Sequence, residues 1–137
     1  MVLAYLGGTE ITSDLAEQLF DAFIATGRNR ASLSTVTVQE ILVRPFRSGP
    51  SAVATAEGFL RHFADIEIVD VSYDIGRDAA RIRARTGIRT PDAMILATAF
   101  VTGVDMLVTN DRAWPKHVAA LDRALRICVL GDVPRKR

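Results

Sequence analysis

Four short β-rich runs, at residues 31–36, 66–71, 105–108 and 125–130, are separated along this chain by segments that carry helix start and stop signals. Strands kept apart in this way cannot pair as hairpins. They pair in parallel through helical crossovers, and crossovers of one hand lay helices on both faces of a sheet. The expected class is therefore α/β, a three-layer α/β/α arrangement around a parallel sheet.

The signals between the runs place the helices. Residues 3–6 followed by Gly7-Gly8 read as a helix tail closed by glycine, and Ser13 or Asp14 can cap a helix that carries Leu15, Leu19, Phe23 and Ile24 and stops at Gly27. Thr37 starts a helix that runs to Val43 and ends before Pro45, residues 47–50 form a loop, and 51–63 are helical across Gly58. Ser72 caps a helix running to Arg85 and closed by Gly87. Pro91 opens another through about Val101, and Gly103 turns the chain into the third strand. A last helix is expected over 117–124, after Pro115, and the basic tail from about 132 to 137 should fray. Phe20, Phe23, Met94 and Phe100 read as core.

With 137 residues and 49% hydrophobic content, the chain fits one domain, 1–137, with a substantial core. Lys+Arg 17 against Asp+Glu 16 gives +1, so attraction to phosphate must come from local patches. Cys128 is the single cysteine and reads as a buried strand thiol; it excludes an internal disulfide. There is no zinc-type Cys/His spacing, no signal-peptide pattern and no apolar run long enough to cross a bilayer, so a cytoplasmic protein without a membrane partner is expected.

Three carboxylates sit where a run gives way to a helix: Glu40 in Thr37-Val-Gln-Glu40-Ile-Leu, Asp92 in Thr90-Pro-Asp92-Ala-Met-Ile-Leu, and Asp111 in Val108-Thr-Asn-Asp111-Arg. In an open α/β sheet these junctions share one edge, where ligands bind. Two carboxylates ~5 Å apart repel by roughly 3 kcal/mol at an effective dielectric near 20, and a helix N-terminus returns only about 0.3–1 kcal/mol. A hard divalent cation, Mg²⁺ or Mn²⁺, resolves the mismatch, and it would activate a water against a phosphodiester. Each acid also has a plainer explanation. Glu40 completes a capping box with Thr37, Asp92 is an acid in the first turn of a helix, and Asp111 is a turn residue.

Arg77, Arg81 and Arg85 recur every four residues, so they share a helix face that could follow an RNA backbone or could simply be solvated and paired with Asp74 and Asp78. Arg112 follows Asp111 directly. Trp114 reads as a loop anchor and His117 as an exposed helix-start residue, although either could meet a base or a phosphate. No glycine-rich phosphate loop, thiol nucleophile or serine triad is visible.

Taken together, the motifs resemble the PIN-domain family of metal-dependent ribonucleases, in particular its VapC toxins. Val36-Thr-Val-Gln-Glu40-Ile-Leu stands where that family has an acid on the helix after the second strand. Thr90-Pro-Asp92-Ala-Met-Ile-Leu-Ala-Thr-Ala99 and Leu107-Val-Thr-Asn-Asp111-Arg stand where it has two more. The resemblance implies an endoribonuclease using Mg²⁺ or Mn²⁺ that leaves a 5′-phosphate and a 3′-hydroxyl. Asp92 and Asp111 would be direct or water-mediated ligands, and Glu40 a ligand or the residue that orients the attacking water. Thr109 and Asn110 would support them from behind, and Arg77, Arg81, Arg85 and Arg112 are candidates for RNA contact. It further implies a homodimer and a cognate VapB-like antitoxin.

The front of the chain departs from the pattern. Family members begin with a short apolar strand ending in aspartate, followed by a helix that resembles Val2-Leu-Ala-Tyr-Leu6; here Met1 falls inside that helix. The sheet is thus expected to lack its first, central strand. A natural start upstream of Met1 is preferred to a degenerate copy, because each buried backbone group left unpaired costs about 1–3 kcal/mol. A rival of another class is a catalytically dead PIN fold that binds an antitoxin or RNA. A flavodoxin-like receiver or nucleotide-binding domain is disfavoured by the missing acidic cluster and phosphate loop.

Overall fold

The computed structural model describes residues 18, 21, 24–27, 29–63 and 65–132. The expectations for residues 3–8, for the caps Ser13 and Asp14, and for Phe20 and Phe23 lie outside these residues. The chain divides into two compact units, Met1–Val69 and Asp70–Arg137.

In the first unit, β1 (Ala31–Ser34) pairs in parallel with β2 (Ile66–Val69), Ala31 opposite Ile66 and Ser34 opposite Val69. The strand stops two residues earlier than expected because Ser34, still extended, turns its hydroxyl to accept from Val36 N at 3.3 Å. Helix α1 (Thr35–Ser48) therefore begins at Thr35, and Thr37 is a residue of its first turn and not its cap. Nor does the helix end before Pro45. It runs through the proline to Ser48, although Pro45 removes one hydrogen bond and crowds the preceding turn. Burial offsets this cost, since Ile41, one turn before the proline, is only 2% exposed.

The expected loop at 47–50 shrinks to Gly49, with φ +117° and ψ 175°, a backbone that glycine alone adopts without strain. Pro50 then opens α2 (Pro50–His62) at a position where a missing N–H costs nothing. Helices α1 and α2 pack together. Ile24, Leu33, Ile41 and Leu60 form the buried cluster of this unit, flanked by Val38, Leu42, Phe59 and Phe63. The Phe59 and Phe63 rings, one turn apart, stand 5.0 Å apart at a tilt of 46°.

The second unit follows its capping chemistry closely. Ser72 accepts from Ile75 N at 3.3 Å to start α3 (Tyr73–Thr86), and Gly87 ends it in the left-handed region with its N–H on Arg83 O. Helix α4 (Thr90–Thr102) has Pro91 in its first turn and Gly103 as its left-handed stop. Ile75, Ala79 and Ile82 line the buried side of α3, which packs on α4, where Ala93, Leu96, Ala97 and Ala99 are buried. The alanines let the two backbones approach.

Strand β3 (Met106–Thr109) pairs in parallel with β4 (Arg126–Val129), and α5 (Trp114–Ala119) lies in the connection between them. This helix starts three residues earlier than the sequence suggests and stops at Ala119. Trp114, its first residue, is 4% exposed and serves as the anchor, whereas His117 is half-buried within the helix and is not an exposed start residue. Cys128 is on a strand as expected but only half-buried. Met94 and Phe100 are also half-buried. A 3₁₀ turn, Leu130–Asp132, follows β4, and Asp132 is held by Arg112 at 2.9 Å, so fraying does not begin there.

Parallel strands joined through helices confirm the α/β class. Among the described residues, however, the strands form two two-stranded parallel sheets, β1–β2 and β3–β4, and not one continuous ladder. No helix among these residues is long and apolar enough to cross a membrane.

Candidate metal centre

Asp92 and Asp111 belong to the second unit, and Glu40 to the first. Asp92 is the third residue of α4, so its carboxylate sits in the first turn, where exposed N–H groups and the helix dipole favour an anion by about 0.3–1 kcal/mol. The rest of the protein covers it: its side chain is 13% exposed. Its Oδ2 accepts a hydrogen bond from Arg89 Nε at 3.0 Å, with the arginine side chain 81% exposed. Among the described residues, this shielded carboxylate thus has one cation, an arginine that is itself mostly exposed.

Asp111 is presented differently. Strand β3 ends at Thr109, whose buried hydroxyl accepts from Asp111 N at 3.1 Å and so fixes where the backbone leaves the sheet. The Asp111 carboxylate then bends forward, and its Oδ1 accepts from Ala113 N at 2.8 Å. Trp114 N donates to Asp111 O at 3.4 Å, tying this turn to the start of α5. Asp111 is therefore exposed but fixed, with Thr109 as its brace. Asn110, between them, is half-buried.

Glu40 falls in the second turn of α1, half-buried and engaged. The capping-box explanation no longer applies to it, because Ser34 is the cap and Thr37 is already helical.

The donor chemistry fits a hard cation. Asp92 and Asp111 each have one carboxylate oxygen engaged and a second oxygen with no hydrogen bond among the described residues. Mg²⁺ commonly takes only one or two protein carboxylates and completes its shell with water and phosphate. Within neither unit do three described His, Cys, Asp or Glu residues gather as a closed protein cage would require.

The arginine candidates separate into roles. Arg81 lies 3.7 Å from Asp78, and Arg85 donates to Asp122 at 3.0 Å and to Leu121 O at 3.4 Å. Arg77, on the same face, has no ion pair among the described residues. Arg112 is ion-paired with Asp132 at 2.9 Å. Sequence reasoning missed Arg89, although the three-residue spacing from Arg89 to Asp92 across a helix start is itself the signal.

The PIN domain family model matches residues 1–121. Among solved structures, the chain is similar to one from a toxin–antitoxin complex of Klebsiella pneumoniae, with a TM-score of 0.65 and 21% identity over 88% of each chain. It is also similar to a chain of VapBC2 from Rickettsia felis bound to a DNA fragment from its promoter. There the TM-score is 0.63 and the identity 17%, over 90% of this chain and 89% of that one. At these identities the likeness concerns the fold. No curated protein sequence matches the chain.

Proposed function

The chain belongs to the PIN-domain family, and from that premise we propose that it is a metal-dependent endoribonuclease, the toxin of a toxin–antitoxin pair. Family membership supports a nuclease role in general. The finer reading rests on one observation: a shielded carboxylate, Asp92, with one oxygen unengaged among the described residues in the first turn of α4.

In this reading Asp92, Asp111 and Glu40 hold Mg²⁺ or Mn²⁺, and the metal supplies an activated water together with charge stabilisation on the phosphoryl oxygens. The protein's own contribution is placement. Helix α4 fixes Asp92 by its first turn, Thr109 and the Asp111–Ala113 contact fix Asp111, and Glu40 on α1 is a ligand or the residue that orients the attacking water. RNA is the proposed substrate. A VapB-like antitoxin and a second copy of the chain are the proposed partners.

The test is Asp92→Asn, which keeps shape and most hydrogen bonding but removes the charge. Cleavage of single-stranded RNA in Mn²⁺ should fall by at least about 100-fold, the scale of losing a charged group that acts in the transition state, with the circular dichroism spectrum unchanged. Equal cleavage by variant and parent would take Asp92 out of the mechanism. Absence of cleavage in both would favour a fold that binds without cutting.

A further inference from the structure

Arg89 directly precedes α4 at the cap position, yet its side chain makes no capping bond to the helix backbone. It reaches forward to Asp92 Oδ2 through Nε alone at 3.0 Å. The contact is lopsided: the carboxylate is 13% exposed and the arginine 81%. The other anchored arginines of this unit hold groups with a structural role. Arg83 binds Ile88 O, Arg85 binds Asp122, Arg112 binds Asp132, and Arg123 binds Asp78. Arg89 instead holds a candidate ligand, and its two terminal nitrogens have no hydrogen bond among the described residues. A planar guanidinium with its outer edge unoccupied is suited to a phosphate.

We propose that Arg89 is a positioning residue with two alternating partners: it neutralises Asp92 until a divalent cation takes that role, and its guanidinium then engages an RNA phosphodiester oxygen at the same site. The inference rests on the reading of Asp92 as a metal ligand. Its physical basis is competition. A guanidinium and a divalent cation repel each other across one carboxylate, and the arginine is the exposed member of the pair.

Opposite effects on metal and RNA binding distinguish this role from a merely structural one. Arg89→Ala should bind Mn²⁺ about two- to five-fold more tightly, the scale of losing a partly exposed ion pair. It should also bind RNA about three- to ten-fold more weakly, the scale of losing one charge-assisted phosphate contact. Arg89→Lys, which keeps the charge without the fork, should retain parental Mn²⁺ affinity and recover only part of the RNA affinity.

Isothermal titration with Mn²⁺ alone reads the first quantity for the parent, both Arg89 variants and Asp92→Asn. Fluorescence anisotropy of a short fluorescein-labelled single-stranded RNA in Ca²⁺ reads the second, and thermal melting checks that each variant folds. If Asp92→Asn loses Mn²⁺ binding while Arg89→Ala binds it no more tightly than the parent, the competition is overturned and the metal-ligand reading stands. Unchanged RNA affinity in Arg89→Ala overturns the phosphate role. Parental Mn²⁺ binding by Asp92→Asn overturns the ligand reading and this inference with it.

Discussion

Asp78 shows how much of a side chain's role is decided by what reaches it from elsewhere in the chain. It lies on the buried side of α3, 11% exposed at the side chain, with Arg123 Nη1 at 2.6 Å and Arg81 at 3.7 Å. The Arg123 guanidinium also covers the Phe100 ring, 3.7 Å from its centroid, so one cation serves a carboxylate and an aromatic face together. Asp78→Ala should lower unfolding free energy by about 1–3 kcal/mol in a urea titration, below the range for a fully buried pair because Arg123 keeps access to water. Sequence spacing could suggest the Asp78–Arg81 pair, three residues apart on one helix. It could not suggest Arg123, 45 positions away, because only folding brings them together. The same division holds at the candidate site. The placement of Asp92 at a helix start and of Asp111 just past a strand end was legible from their contexts, while the shielding of one and the bracing turn of the other are properties of packing.

Among the helices, the well-marked ends were legible and the ambiguous ones were not. Ser72, Gly87, Pro91 and Gly103 each carry one dominant local preference, and the structure uses all four as that preference directs. Ser34 and Thr37 offer two hydroxyls that could cap the same helix, and the strand's own length decides in favour of the earlier one. Pro45 misleads for a different reason. Its penalty is local and readable, whereas the apolar packing of α1 that outweighs it is tertiary. Removing the penalty should therefore stabilise the protein. Pro45→Ala restores an N–H to the turn below, and the expected net gain is about 1 kcal/mol after the greater freedom of the unfolded chain is counted. A rise in the urea midpoint at constant slope would show it; a fall would mean that the proline ring itself is packed favourably.

At the scale of the whole molecule, the reading of residues 1–137 as one domain predicts cooperative unfolding. Trp114, the single tryptophan, is buried in the second unit and reports on it, whereas far-UV circular dichroism reports on the helices of both. The two signals should melt with one midpoint. Separate midpoints would show two independently stable units. The sheet order was the least legible feature, since parallel pairing follows from the alternation of elements but the continuity of a ladder does not.

The pairing of β1 with β2 also has a consequence in time. As the chain leaves the ribosome, β1 emerges well ahead of its mate, because all of α1 and α2 must be synthesised before β2 exists. During that interval its unsatisfied edge is open to wrong partners, and a nascent chain stalled between the two strands is the form in which this protein would most need a chaperone.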